Sequence, residues 1–225
     1  MDKVRMTPGS STMTPILYCH PDSGFSYKVA LALSLLRIEF EQRHIAIWKP
    51  REERSAEFQA VSAHGEVPVL LIDGHVLCQS NAILDYLRRR EGRLGGRDET
   101  EVLRVREWLS WEANRISLNL SHSRFGRRWG NYDPAVLAWY DRRSKDDLDR
   151  LQQQLEASPY LVGTAATIAD IACCGYLYFT GEAWANDAGI DLTQWPRVHD
   201  WLGRIAELPD FRTPEAMFGG HEACY

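Results

Sequence analysis

No Cys-x-x-C pair occurs in the sequence, and its five cysteines, Cys19, Cys78, Cys173, Cys174 and Cys224, are an odd number scattered over 225 residues. That argues against a disulfide framework and a closely spaced dithiol couple, and it fits a reducing, cytoplasmic setting. The adjacent Cys173 and Cys174 read as small buried core residues. No apolar run approaches the roughly 20 residues that span a bilayer, the stretch from Val29 to Leu36 being far shorter, so no membrane insertion is expected. Long basic runs are missing too: 26 Lys plus Arg stand against 31 Asp plus Glu, a formal charge of -5, which excludes a phosphate-tracking surface and hence nucleic acid as a partner. No His, Cys, Asp and Glu set has metal-ligand spacing, with His221 and Cys224 too isolated to form one, so no metal is expected. The first fifteen residues hold no continuous apolar segment of the secretory type, and residues 1–14 read as a flexible extension. Internal repeats and low-complexity tracts are also missing.

What is present suits an ordinary globular chain, 44% hydrophobic and 25% charged, long enough to bury sizeable cores. Ile16 to Tyr18 is a short apolar run that ends in the turn formers Cys19 to Gly24, so a strand hands over to a helix. The following Ala- and Leu-rich segment to Leu36 is apolar on nearly every side and predicts a helix buried against a sheet. Phe40 to Trp48 alternates as a second strand. Val67 to Ile72 and His75 to Leu77, joined by Asp73-Gly74, form a hairpin, and a helix from Ser80 to Arg90 follows. The β-α-β, β-β-α order makes a compact α/β unit over residues 15–92, and the glycine-rich, charged stretch 93–99 is a linker.

Beyond it, residues 100–225 read as an all-helical domain. Val102, Val105, Leu109, Ala113, Ile116 and Leu120 recur at spacings of three and four and predict one long amphipathic helix. Leu137, Tyr140, Leu148, Leu151 and Leu155 predict a second. Thr167 and Asp170 make a capping box, with Asp in place of the usual Glu, before a central helix from Ile168 to about Trp184.

Three ordered patterns, Ser23-Gly24-Phe25-Ser26-Tyr27-Lys28-Val29, Glu66-Val67-Pro68-Val69-Leu70 and Gln79-Ser80-Asn81-Ala82-Ile83, together resemble the cytosolic glutathione S-transferase family, in its serine-type, bacterial-like form. Thr167 to Ala172, Trp195-Pro196-Arg197-Val198 and Trp201 extend the resemblance over nearly the whole chain from Ile16. It implies an α/β thioredoxin-like N-terminal domain plus an all-α C-terminal helical bundle, with glutathione as co-substrate and no metal. A transferase acting in detoxification on a small hydrophobic electrophile is expected, and a homodimer by default.

The resemblance makes Ser23 the catalytic residue, and the physics agrees. A hydroxyl at a helix N-terminus sits where the dipole and free N–H groups stabilise an anion, and a thiolate held there has a lowered pKa. Ser26 is a second hydroxyl in the same turn. Local sequence alone equally allows both serines to be plain helix caps. Val67 and Pro68 match the family's cis-proline site, where backbone pairs with the cysteine of glutathione. Gln79 and Ser80, at the start of a helix, match the γ-glutamyl carboxylate site.

Two departures stand out. Gln79 replaces the commoner Glu and offers no charge to the γ-glutamyl ammonium, and Glu66 stands where many relatives have Gln or Lys, with Lys49 as a compensating cation. Trp108, Trp111 and Arg115, on adjacent turns, are the expected wall of the second-substrate pocket. Two alternatives accompany this reading: a glutathione-dependent disulfide reductase using Cys19, and a non-catalytic glutathione-binding or protein-interaction module of the same fold. His20 reads as a loop residue.

Overall fold

The computed structural model describes residues 13–219; His221, Cys224 and most of the 1–14 extension lie outside them. Four short strands, β1 (Ile16–Cys19), β2 (Glu41–His44), β3 (Val69–Ile72) and β4 (His75–Cys78), form one sheet in the order β2-β1-β3-β4. β1 runs parallel to β2, pairing Ile16 with Glu41, and antiparallel to β3, pairing Leu17 with Leu70. The β3–β4 hairpin turns at Asp73 and Gly74, whose φ values of 51° and 79° are what a two-residue turn of this hand requires.

Period-two alternation splits β1 between two cores. Leu17 and Cys19 face the main core with α1 (Gly24–Leu35) and α3 (Ser80–Glu91), while Tyr18 packs with Ile45, Phe58 and Val69 under α2 (Ala56–Val61). α1 buries nearly every side chain, as its composition predicts, because it lies between the sheet and the second domain. The expected strand from Phe40 to Trp48 is shorter, since its partner β1 offers only four residues to pair with.

Gly92, with φ 63°, ends α3, and after a connection the chain is helical, with no strand beyond Cys78 among the described residues. The helices are α4 (Glu99–Asn114), α5 (Ile116–Phe125), α6 (Pro134–Ala157), α7 (Ile168–Cys174), α8 (Ala183–Asp187), α9 (Pro196–Ala206) and α10 (Pro214–Phe218).

Two expectations need correction. The single helix from Val102 to Leu120 is two, broken at Arg115, whose φ and ψ of -127° and -102° are not helical. There the Arg115 guanidinium turns to Asp147 on α6, at 2.8 Å. The helix from Ile168 ends at Cys174 instead of running to Trp184. A Cβ at Gly175 would lie 2.9 Å from the Gly24 carbonyl oxygen, so only glycine lets the chain pass this close to α1, and a short 3-10 turn over Leu177–Phe179 follows.

The capping box forms. The Thr167 hydroxyl accepts from the Ala169 N–H, and the Asp170 carboxylate accepts from the Thr167 N–H at 2.8 Å, the Leu161 N–H and the Trp201 indole. Burial raises the Asp170 carboxyl above the ordinary carboxylate range, against those four donors, the Thr167 hydroxyl included.

The two domains share one continuous hydrophobic core in which α1 packs on α3, α5 and α7. Polar ties cross it as well. Lys28 and Glu112, both fully buried, pair at 2.8 Å, and Arg124 of α5 reaches the Asp22 carboxylate at 3.0 Å and its carbonyl at 2.7 Å.

Candidate functional site

β1 delivers the chain to a turn in which Ser23 caps α1. Its backbone is extended (φ -97°, ψ 109°), and its Oγ accepts from the Ser26 N–H at 3.1 Å. Ser26 itself is fully buried, and its hydroxyl accepts from the His20 N–H, pinning the turn from inside. His20 is buried as well, with its Nδ1 accepting from the Asp22 N–H and its ring edge-on to Trp48. The structure thus separates the two serines: Ser23 lines the larger hollow and Ser26 supports the turn.

Two adjoining hollows meet at Phe25, Glu66 and Val67. The smaller, of ≈ 200 Å³, is lined by Val67, Pro68, Gln79, Ser80 and Asn81, together with Lys28 and Glu112. The Val67–Pro68 peptide is cis. Gln79, with φ 67°, occupies the cap position of α3 and gives no side-chain hydrogen bond to the helix, so Ser80 is the first helical residue and not the cap. The helix start therefore presents N–H groups without a side-chain acceptor beside a hydroxyl that is nearly buried. The two departures in the motifs touch each other, the Gln79 amide donating to the Glu66 carboxylate at 3.4 Å.

Sequence reasoning missed the floor of this hollow. The Lys28 ammonium donates to Asn81 Oδ1 and Glu112 Oε1, both at 2.8 Å, and lies 5.2 Å from the centre of the Phe25 ring. A lysine inside the apolar run of α1 was the signal, because a charge there has to meet an opposite one.

The larger hollow, of ≈ 550 Å³, lies between the domains and is lined by Ser23, Trp48, Phe125, Trp129, Tyr132 and Tyr176 among others. Trp48, from the loop after β2, stacks on Phe125 at 5.9 Å and meets Trp129 at 4.6 Å. Burial pushes the Tyr176 phenol up to about 12, so it is protonated at neutral pH.

The structure does not bring Trp108, Trp111 and Arg115 to this cleft. The two tryptophans, 5.1 Å apart, line a separate groove with Arg150 and Gln154, and Arg115 is committed to Asp147. The break at Arg115 is the reason: α5, not α4, faces Ser23, and the aromatic wall comes from its end and the following turn. Lys49 is exposed and lines neither hollow; Arg51 and Arg54 lie nearer Glu66, with Arg54 donating to the carbonyls of Gly65 and Ile47 at 2.5 and 2.8 Å. Cys19 is fully buried in the main core at the end of β1. No group of His, Cys, Asp and Glu among the described residues could hold a metal, and no helix among them is long and apolar enough to cross a membrane.

A nearly buried hydroxyl at one helix start, a second helix start with free N–H groups, the Val67–Pro68 backbone between them and an aromatic hollow alongside can hold a small peptide-like ligand against an apolar partner. Comparison with known proteins identifies the family. Residues 17–96 match the glutathione S-transferase N-terminal domain, and residues 134–209 match its C-terminal domain. A maleylacetoacetate isomerase of Pseudomonas aeruginosa is 26% identical over 87% of this chain and 93% of its own. The disulfide-bond oxidoreductase YfcG of Escherichia coli is 27% identical over 81% and 86%. Among solved structures, a glutathione S-transferase from Xanthobacter autotrophicus is 32% identical, with a TM-score of 0.78 over 90% of this chain and 98% of that one. A glutathione transferase from Pseudomonas putida, solved with glutathione disulfide bound, has a TM-score of 0.80 at 21% identity over 94% of both chains, a likeness of fold.

Proposed function

This chain belongs to the glutathione S-transferase family of glutathione-utilising enzymes, and from that premise we propose that it is a serine-type transferase joining the thiolate of glutathione to a hydrophobic electrophile. The observation that carries this reading is Ser23: its hydroxyl caps α1 and lines the larger hollow, only 7% exposed. There it donates to the sulfur, and with the N-terminal end of α1 it lowers the thiol's pKa. The Val67 backbone pairs with the cysteinyl unit, and Ser80 and the N–H groups of α3 take the γ-glutamyl carboxylate. Glutathione supplies the nucleophile: the thiol proton leaves to solvent, a C–S bond forms at the electrophilic carbon, and the leaving group departs with the electron pair of its bond.

Trp48, Phe125 and Trp129 offer the electrophile an apolar, aromatic wall. Detoxification of such compounds by a cytoplasmic homodimer is the physiological setting this reading implies. A second reading is favoured by the relative named maleylacetoacetate isomerase: a thiolate that adds to an activated double bond and leaves after rotation isomerises it, and glutathione returns unchanged. Reduction of disulfides by Cys19 itself is disfavoured by that residue's complete burial.

Calorimetric titration with glutathione, beside turnover of a chloronitroaromatic electrophile, tests the proposal. Ser80→Ala is expected to weaken binding about five- to thirtyfold, equivalent to roughly 1–2 kcal/mol, and Ser23→Ala to retain binding while losing turnover. Saturable binding with turnover indifferent to Ser23→Ala would overturn the serine assignment, and a product free of glutathione from a cis-alkene substrate would favour the isomerase.

A further inference from the structure

Arg124, on α5 of the second domain, lies in the wall of the larger hollow with its side chain only 2% exposed. Its Nη1 donates to the Asp22 carbonyl at 2.7 Å and its Nη2 to the Asp22 carboxylate at 3.0 Å. The other side of the fork is taken by Glu182, just before α8: Nε and Nη2 donate to its two carboxylate oxygens, both at 2.9 Å. The centres of the Phe179 and Trp129 rings lie 4.6 and 5.1 Å from the guanidinium carbon. A rigid planar group bonded on both sides and packed against two rings is held in one orientation.

The carbonyl that Arg124 grips belongs to the peptide group leading into Ser23. The N–H of the same group, that of Ser23, donates to the His20 carbonyl at 3.0 Å, so this peptide is held at both ends. The peptide group on the far side of Ser23 is held by α1, where the Ser23 carbonyl accepts from the Tyr27 N–H at 2.9 Å. Once the planes before and after a residue are fixed, the direction of its Cα–Cβ bond is fixed too. Two of these holds are local, made by the turn and by α1; the third comes from the second domain.

Resting on the serine-type reading above, we infer that Arg124 is a positioning residue, which by gripping the Asp22–Ser23 peptide aims the Ser23 hydroxyl at the sulfur of glutathione. Released from the guanidinium, the carbonyl of the buried Asp22 would turn toward another donor, rotating the peptide and carrying Ser23 Oγ with it. A displacement of about 1 Å in a group of this kind costs up to about a hundredfold in rate. Lysine at 124 would keep the positive charge, but a compact ammonium cannot serve the Asp22 carbonyl and two carboxylates in one plane.

The test measures the pKa of enzyme-bound glutathione from the ultraviolet absorbance of the thiolate across pH, with calorimetric affinity and Tm alongside, in wild type, Arg124→Lys, Ser23→Ala, their double variant and Thr167→Ala. The last is a control that loses the cap of α7 and should lower Tm while leaving the thiol pKa alone. Arg124→Lys is expected to match wild type in affinity at a pH low enough to keep the bound thiol protonated, since Ser80 and the start of α3 are untouched. It should raise the thiol pKa by about half a unit to one unit, and lose about three- to thirtyfold in kcat/KM at neutral pH, mostly regained at alkaline pH. Added to Ser23→Ala, it should raise the pKa no further. A thiol pKa unmoved by Arg124→Lys, or raised as much by Thr167→Ala, overturns the positioning role. A further rise in the double variant overturns it too, since Arg124 would then act on the sulfur without the hydroxyl. Should Arg124→Lys not fold, Glu182→Gln loosens only the far side of the fork; a smaller rise is expected there, and none overturns the role. No shift in Ser23→Ala overturns the serine reading itself.

Discussion

Replacing Glu112 by glutamine should destabilise the whole protein, because it leaves a buried ammonium without its counter-charge. Lys28 and Glu112 are 1% and 0% exposed, with Nζ and Oε1 2.8 Å apart. At an effective dielectric of about 20 that pair has a gross attraction of roughly 6 kcal/mol, set against the desolvation of both ions. Asn81 completes the site: its carbonyl accepts from Lys28, and its amide donates to Glu112 Oε2 at 2.8 Å and to the Leu109 carbonyl at 2.7 Å. A glutamine at 112 would turn its own NH2 toward one of two donors, the Lys28 ammonium or the Asn81 amide. The expected loss is about 3–5 kcal/mol, the usual result of breaking a buried pair from one side. For a chain of this size that lowers Tm by about 6–20 °C. Scanning calorimetry and urea titration at pH 7 read it directly. The double variant Lys28→Met/Glu112→Leu should recover most of the loss, since two apolar side chains leave no charge behind. A Glu112→Gln protein within about 1 kcal/mol of wild type would refute the claim that this pair is desolvated and coupled.

Gly175→Ala places a methyl group 2.9 Å from the Gly24 carbonyl oxygen, and since backbone cannot move aside as a side chain can, a loss of about 1–3 kcal/mol is expected in urea titration. His122 gives a pH dependence. Its ring stacks on Tyr140 at 4.8 Å, contacts the Tyr132 hydroxyl, and burial lowers its folded pKa below 6.5. The unfolded chain then binds more protons, so this residue's contribution is complete above the unfolded value and is lost as pH falls toward the folded one. Urea midpoints should fall more between pH 7.5 and pH 5 for wild type than for His122→Phe; equal slopes would refute the assignment.

What was legible in the sequence was local. Turn formers after Ile16 to Tyr18 fixed the strand-to-helix junction, Asp73-Gly74 fixed the hairpin, and Thr167 with Asp170 fixed the start of α7, because each depends on residues within a few positions of one another. The break at Arg115 was not legible. Leu109, Ala113, Ile116 and Leu120 keep their spacing straight across it, and the group that draws Arg115 aside, Asp147, lies on a different helix. Misplacing the aromatic wall followed from that, for a helical stripe tells which residues share a face but not which neighbour the face meets. Trp48 shows the same limit, as a strand-end residue whose partners Phe125 and Trp129 belong to the other domain.

The start of α1 is held from both domains. Arg124 binds Asp22 just before the cap, the Tyr176 ring packs against Gly24, Glu112 holds Lys28 one turn on, and the Tyr27 hydroxyl donates to the Arg212 carbonyl at 2.7 Å. Without the second domain, the first would carry a Lys28 lacking its counter-charge and an exposed, apolar α1. Local helix capping sets where Ser23 sits, and the second domain holds the residues on either side of it. An isolated first domain that folded and still lowered the thiol pKa of glutathione would show that the α1 terminus suffices alone. A first domain that folds but leaves that pKa at its solution value would show that contacts from the second domain are needed for the activation.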